Sequence, residues 1–337
     1  MPPLYHFTVL PPKMPEAVAE LQEINMLRGH FGGDLWYINP NQHSPMYVPR
    51  LLFGFQLLGK LRRAEAQLSL HHFYNPDAFA FPFLRWLKKP IIYAVSGGVG
   101  EGRLNTAFFN RMAAVAVPDE RSLRRLQARG VTTGVQMRPG IDTTRFRHHP
   151  QPLTGEIRLL MASAPWTEAQ FASKGIDALL EAVARLPRLH LTFLWRGVLE
   201  EEMRARVKRL NLQDRVTVIN RRVDVNAVLA EMHGAVALAN RPGIMKAYPH
   251  SLLDALAAGK PVLVNRAIPM ADYVEASGCG VVIEEVNAES VLAAVAKWSG
   301  QYAQVAETAR TVGQRDFSQR QFINAYEKLY ARLTSNK

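Results

Sequence analysis

The chain has 337 residues, 48% hydrophobic and 21% charged. That balance suits a globular protein of two ordinary domains and excludes disordered and fibrous classes. A single cysteine, Cys279, excludes an internal disulfide framework and reads as a small core residue.

No apolar run reaches the roughly 20 residues of a spanning helix. The opening MPPLYHFTVLPP is a short apolar strand broken by prolines rather than a signal peptide, so a cytoplasmic protein is expected. The net charge of +12 is unevenly spread: from Arg50 to Lys89, seven basic residues (Arg50, Lys60, Arg62, Arg63, Arg85, Lys88, Lys89) stand against Glu65 and Asp77. Such an excess points to an anionic partner, or else to a solvated basic surface.

Tyr5 to Leu10 reads as a first strand. The loop PPKMP follows, then a helix from Glu16 to about Arg28, ended by Gly29, Gly32 and Gly33; DLWYINP reads as a second strand. From Met46 to Arg63, Leu51, Leu52, Phe55, Leu58 and Leu61 fit one helical face beside Lys60, Arg62 and Arg63. That face is either core or a membrane-surface helix. Gln67 to Gly98 reads as strand, helix, strand, with His71 and His72 near the end of the first strand and Ser96, Gly97 and Gly98 after the second. In an open α/β sheet, ligands collect at the carboxyl ends of strands, which makes either histidine a candidate. The alternative is a hydrogen-bonded structural histidine. MAAVAVPDERSLRRLQARG reads as strand and helix, and VQMRPGIDTTRF leads toward an exposed linker at His148, His149, Pro150 and Pro152. No carboxylate or cysteine completes a metal site at ligand spacing beside those histidines. The first domain is expected to end at His149.

The second half opens on the strand EIRLLMASAP, and the loop WTEAQFASKGID carries Lys174 and Gly175. A helix runs to about Leu186, and the strand LHLTFLWRG ends at Arg196. A charged surface helix, the strand RVTVINRRV, the helix DVNAVLAEM and the strand GAVALANRPG follow in turn, the last ending at Asn240 and Arg241. KAYPHSLLDALAAGKPVLV, Lys246 to Val264, then reads as loop, short helix, glycine stop and strand. Ser251 and Asp254 resemble a capping box. Leu252, Leu253, Leu256 and Ala257 form the apolar face, and Gly259 is the C-terminal stop. The free N–H groups of such a helix start, at Ser251 and Leu252, suit a diphosphate, and Asp254 one turn inside suits a ribose. VVIEEVNAESVLAAVAKW reads as strand and helix, and Phe317 to Leu333 as an amphipathic terminal helix. Alternating strands and helices predict parallel sheets, and two halves of like pattern predict a ligand cleft.

Three segments, PGIDTTRF (139–146), KGID (174–177) and SLLDALAAGKPVLV (251–264), occur in the order of one family. Through them the chain resembles the retaining glycosyltransferases of family 4, also called group 1, and is identified as a divergent member. The resemblance implies an α/β GT-B fold: two Rossmann-like domains facing each other across a cleft. It implies an N-terminal acceptor domain (1–149), a nucleotide-sugar donor domain (150–316) and a terminal helix (317–337) crossing back to the first. The family carries two glutamates eight positions apart, the second in a segment like LLEAMACGKPV. Asp254 stands at the second position and Lys246 at the first. Ser96 stands where the family has a histidine near the reaction centre, so Ser96, Lys246 and His72 are the catalytic candidates. Lys174 matches the lysine that clamps the diphosphate. Ala162, Ser163 and Ala164 replace a glycine and arginine near the phosphates, and Arg196 is the candidate for the missing guanidinium. RVTVINRRV corresponds to the stretch that brackets the base.

The implied activity is metal-independent transfer of a hexose from a nucleotide-diphosphate sugar to an acceptor hydroxyl, with retention. No bound cofactor beyond that donor is expected, and no metal motif of the aspartate–any–aspartate type occurs. Ser251, Leu252, Asp254, Lys174 and Arg196 form the expected donor site. The acceptor is expected to be a lipid-linked or polysaccharide precursor, with peripheral contact to an anionic membrane and no nucleic acid. The alternative is a catalytically silent homologue serving as a binding or scaffold subunit.

Overall fold

The computed structural model describes residues 1–12, 15, 18–195 and 197–335. The chain forms two units: Met1–Gly140 with Gln319–Lys337, and Ile141–Ser318.

Unit 1 holds a parallel sheet of β1 (Leu4–Phe7), β2 (Leu35–Tyr37), β3 (His71–Asn75), β4 (Ile91–Val95), β5 (Ala114–Val117) and β6 (Gly134–Gln136), in the order β2-β1-β3-β4-β5-β6. Side chains alternate between two buried cores. Phe73, Tyr93, Val95 and Val115 pack on one face, while Tyr74, Ile92, Ala94 and Ala114 pack on the other. Burial on both faces explains why these strands are apolar runs rather than alternating ones. The helix Ala19–Phe31 lays Leu21, Ile24 and Leu27 on the second face. There they join Phe322, Tyr326, Leu329 and Tyr330 of the terminal helix Gln319–Thr334.

Three expected elements of unit 1 differ. The first helix begins at Ala19 and runs to Phe31, with Gly29 inside it and Gly32 as its cap; Glu16 and Lys13 lie outside the described residues. The Met46–Arg63 tract is not one helix. It is two 3-10 turns, Arg50–Leu52 and Phe55–Leu57, and a helix Leu58–Ala64. Gly54 breaks it: its φ is 86°, and a Cβ there would sit 2.3 Å from the Phe83 ring. The helix expected between β3 and β4 is only the 3-10 turn Pro82–Trp86, opened by a proline that has no N–H to donate.

Unit 2 holds β7 (Ile157–Met161), β8 (Leu189–Leu194), β9 (Val216–Ile219), β10 (Gly234–Ala237), β11 (Val262–Asn265) and β12 (Gly280–Ile283), all parallel, in the order β12-β11-β10-β7-β8-β9. Its two faces are also both apolar: Leu159, Leu191 and Leu263 on one, Leu160, Ala235 and Val264 on the other. Cys279 is fully buried in the second core.

The division falls after Gly140 rather than after His149. The stretch from Ile141 to Pro152 is stitched to unit 2. Ile141 N–H donates to Phe317 O at 2.9 Å, and Arg147 N–H to Asn226 Oδ1 at 2.9 Å. Lys260, 1% exposed, donates to His149 O at 2.5 Å. Burial lowers the Lys260 pKa to about 8. Among the described residues no helix is long and apolar enough to cross a membrane.

Candidate functional site

In a doubly wound sheet, ligands bind at the carboxyl ends of the strands where the strand order reverses. Unit 1 reverses between β1 and β3, and unit 2 between β7 and β10.

At the unit 1 reversal, Thr8 follows β1 and Asn75 ends β3. Thr8 Oγ1 donates to Asn75 Oδ1. Arg50 Nη2 donates to the same oxygen at 2.8 Å and forms a two-pronged pair with Asp77, both contacts at 2.7 Å. Its guanidinium lies 4.4 Å from the centre of the Phe79 ring. Ser96 follows β4; its N–H donates to Asn75 O at 2.9 Å and its hydroxyl to Glu20 Oε1 at 2.9 Å. Glu20 is 5% exposed. Of the sequence candidates in this half, Ser96 therefore sits at the reversal.

His71 and His72 do not. They open β3 instead of ending it, and both are fully buried. His72 shares a 2.7 Å hydrogen bond with the Tyr330 hydroxyl and is packed among the rings of Tyr5, Tyr74 and Tyr326. Burial lowers its pKa to about 3, so it is neutral in the fold. The placement expected for His72 is thus corrected: it belongs to the apolar core at the start of the strand. His71 bridges His6, at 3.0 Å, and Glu65, at 3.2 Å. Glu65 also accepts from the Lys88 and Lys89 N–H groups, at 2.6 and 2.9 Å. Burial raises the Glu65 pKa, but those N–H groups and His71 outweigh it and hold the carboxyl below its usual range.

At the unit 2 reversal, β7 ends before Ala162, Ser163 and Ala164, and β10 before Leu238, Ala239 and Asn240. Lys174 caps the helix Ala169–Ser173, is 7% exposed and donates to Ala164 O at 2.6 Å. Among the described residues no carboxylate pairs with its ammonium, and burial lowers its pKa. Gly175 makes this placement possible: its φ is 67°, and a Cβ would stand 2.6 Å from Leu238 Cβ. Asn240 N–H donates to Ser173 O at 2.9 Å, which ties the Lys174 turn to the end of β10. Arg196 lies outside the described residues.

The helix expected around Ser251 spans His250–Ala257, with Pro249 as its cap and no side-chain capping bond. The capping box is therefore corrected. Pro249, with its fixed φ, starts the helix one residue before Ser251, and Asp254 lies in the body of the helix. Leu252 N–H is taken by Pro249 O at 2.9 Å. Among the described residues no carbonyl accepts from the Ser251 N–H, so Ser251 rather than Leu252 presents an open donor. Gly259, with φ 74°, follows the last turn as the expected stop. Lys246 and Asp254 are half-buried. Further along the sheet, a cavity of about 580 Å³ opens over β8 and β9, lined by Thr192, Thr217, Arg221, Val223, Asp224 and Met232, among others.

Residues 169–314, all inside unit 2, match the model of the family "Glycosyl transferases group 1". This chain carries a group 1 glycosyltransferase domain. The glycosyltransferase domain holds Lys174, Lys246, Ser251, Leu252 and Asp254. The chain is 28% identical over 172 residues to a putative colanic acid biosynthesis glycosyltransferase, WcaL, of Salmonella typhimurium, a match covering 48% of this chain and 41% of that protein. It is 33% identical over 122 residues to the lipopolysaccharide glucosyltransferase WaaG of Escherichia coli, covering 35% of this chain and 31% of that one. The chain thus matches less than half the length of either relative. Its fold is that of GT-B glycosyltransferases with two Rossmann-like units. Anabaena HepE, solved with UDP and glucose, superposes with a TM-score of 0.71 at 13% identity, over 97% of this chain and 98% of that one.

Sequence reasoning missed Glu20, Thr8, Asn75 and the Arg50–Asp77 pair. The Asn-Pro-Asp run at 75–77 was a legible turn signal. Glu20 had none, because its partner Ser96 is 76 positions away.

Proposed function

We propose that the protein transfers a hexose from a nucleotide-diphosphate sugar to an acceptor hydroxyl, with retention of configuration. The observation that carries this reading is Lys174: a buried ammonium at the unit 2 reversal, with no carboxylate beside it among the described residues. A buried charge without a counter-charge is costly, and an anionic ligand offsets that cost. Lys174 would hold the diphosphate, the open N–H of Ser251 would add a donor at a helix start, and Asp254 would accept from the ribose. Negative charge builds on the departing diphosphate, and these donors would stabilise it without a metal. Lys246 stands close in sequence to the same helix and would meet a phosphate or a donor carboxylate.

Isothermal calorimetry with UDP, UDP-glucose and GDP tests the donor half. Saturable binding to one of them is expected; no binding to any would overturn the reading. Once a donor and acceptor pair is found, the anomeric configuration of the first product by NMR tests retention. Tight nucleotide binding with no transfer to any acceptor and no hydrolysis would favour a silent binding subunit instead.

For the acceptor, the reading is a lipid-linked or polysaccharide precursor reached at the cytoplasmic face of a membrane. What supports it is a mixed surface on unit 1. Met46, Tyr47, Leu51, Leu52 and Trp86 are 77%, 80%, 55%, 50% and 44% exposed. Lys60, Arg62, Arg63, Arg85 and Lys88 are exposed as well. Leu61 is buried, while Phe55 and Leu58 are half-buried, so they support the fold rather than the surface. Each cation near an anionic leaflet contributes about 1 kcal/mol, and apolar side chains add burial among the headgroups. Flotation with vesicles of neutral and of anionic lipid at low salt decides it. Recovery with anionic vesicles is expected, with loss of binding when Lys60, Arg62 and Arg63 become Gln; equal absence from both vesicle types would reject docking.

A further inference from the structure

The basic tract of unit 1 carries two acids, and the fold withdraws both from its surface charge. Asp77 is held by Arg50, each of its oxygens 2.7 Å from the guanidinium. Glu65 follows the helix Leu58–Ala64 and is buried. Its Oε1 takes no lysine side chain; it accepts from the Lys88 and Lys89 backbone N–H groups and from His71 Nε2. Burial keeps His71 and His6 neutral. A carboxylate only accepts, so the His71 proton sits on Nε2, and its Nδ1 accepts from His6 Nε2–H. His6 stacks on Phe73, with ring centres 4.0 Å apart and planes nearly parallel. The run Glu65, His71, His6 thus roots the loop before β4 in the sheet. A second tie joins the same two segments: the rings of Phe55 and Trp86 meet edge to face at 5.3 Å. Residues 55–65 and 83–89 therefore lie side by side. Lys60, Arg62 and Arg63 on one, and Arg85 and Lys88 on the other, are exposed, and among the described residues no carboxylate pairs with any of them. A glutamate facing outward there would neutralise one cation; facing inward, it leaves the field whole.

We propose that Glu65 is a positioning residue: by binding the backbone of Lys88 and Lys89 it sets the cations of two segments in one field that takes an anionic lipid surface. This deepens the docking reading given above and rests on it. Leu51, Leu52 and Trp86, exposed beside these cations, favour a lipid surface over a soluble phosphate, which offers no apolar layer to bury them.

The test uses the full chain and vesicles of neutral lipid with and without anionic lipid. Partition is measured by flotation at low salt, and amide exchange is followed in the same proteins. Summed charge alone predicts that removing an acid tightens binding to anionic vesicles. For Glu65→Ala the opposite is expected: about fivefold weaker partition, the worth of one cation near an anionic leaflet, with faster exchange at the Lys88 and Lys89 amides. Glu65→Gln, whose amide oxygen still accepts, should fall between Glu65→Ala and wild type. Lys88→Gln should cost wild type about fivefold but Glu65→Ala less than about twofold, because a displaced loop has little left to lose. Unchanged or tighter partition in Glu65→Ala overturns the inference, as do additive losses when the two changes are combined. If Glu65→Ala fails to fold, the same cycle of Glu65→Gln with Lys88→Gln decides it, and additivity there overturns it. A wild type that leaves anionic vesicles unbound overturns the docking reading and the inference together; a wild type that binds no better than Glu65→Ala overturns the inference alone.

Discussion

The reversal in unit 1 gathers Thr8, Asn75, Ser96 and a buried carboxylate, Glu20; the reversal in unit 2 gathers Asn240, the start of the helix His250–Ala257 and a buried ammonium, Lys174. Both are carboxyl ends of parallel strands, and each faces the same geometric problem of N–H and C=O groups left unused where neighbouring strands diverge. The strand architecture supplies the place in each case. One ionisable side chain differs between them: a carboxylate, Glu20, in unit 1 and an ammonium, Lys174, in unit 2.

Four experiments break or sharpen this comparison. The largest effect is expected from acid. His6, His71 and His72 have pKa values lowered by burial, so the folded state holds them neutral. An unfolded histidine takes up its proton near pH 6.5. Their contribution is therefore complete above about pH 6.5 and is lost as pH falls, for His72 down to about 3. The slope is about 1.4 kcal/mol per pH unit for each histidine that differs by one proton. Glu65, held low, adds to the loss as pH drops through its own range. In unit 2, His233 is the described histidine whose pKa burial lowers, and the carboxylates held low there, Glu200, Glu275, Glu284, Glu289 and Glu307, lie in exposed contacts that solvent screens. Hydrogen exchange at pH 7 and pH 5 should show protection falling faster in unit 1. Parallel losses in both units would contradict the contrast.

Gly175→Ala comes next. It places a Cβ against Leu238 at a backbone angle that side chains rarely adopt. A cost of about 2–4 kcal/mol is expected from strain and overpacking together. Urea unfolding measures it, and a loss under 0.5 kcal/mol would mean that the turn relaxes freely.

Lys174→Ala should weaken UDP binding by roughly 1.5–3 kcal/mol. If Lys174 serves only to hold Ala164, melting temperature should fall while calorimetric affinity stays. The smallest effect is expected at Asp254. Because the helix starts at His250, Asp254→Asn removes no cap, and nucleotide affinity should drop by about 1 kcal/mol. A mutant with lower melting temperature and unchanged affinity would return Asp254 to a structural role.

Much of unit 2 was legible from local pattern. The pair Lys174–Gly175, the apolar face at Leu252, Leu253 and Leu256, and the stop at Gly259 are each signals spread over a few residues, and the structure places them as helix-end features. Where local signals competed, reading failed. Ser251 looked like a cap, but Pro249 has its φ fixed by its ring and took that position. The apolar spacing from Leu51 to Leu61 looked continuous, but Gly54 turns left-handed against Phe83 and splits it. His72 looked like a strand end because periodicity alone marks a strand without marking where it begins. Its partner Tyr330 is 258 positions away.

The sequence by itself determined the alternation of strands and helices, the two-sided burial of the strands and the loops suited to an anion, because each follows from backbone preferences and side-chain period over short windows. The tertiary structure alone decided which side chains share a reversal. β1 lies beside β3, and β7 beside β10, only once the sheets have formed. Glu20 therefore reaches Ser96, and Arg50 reaches Asp77, through strand order rather than sequence spacing, and that juxtaposition sets which groups unit 1 presents at its reversal.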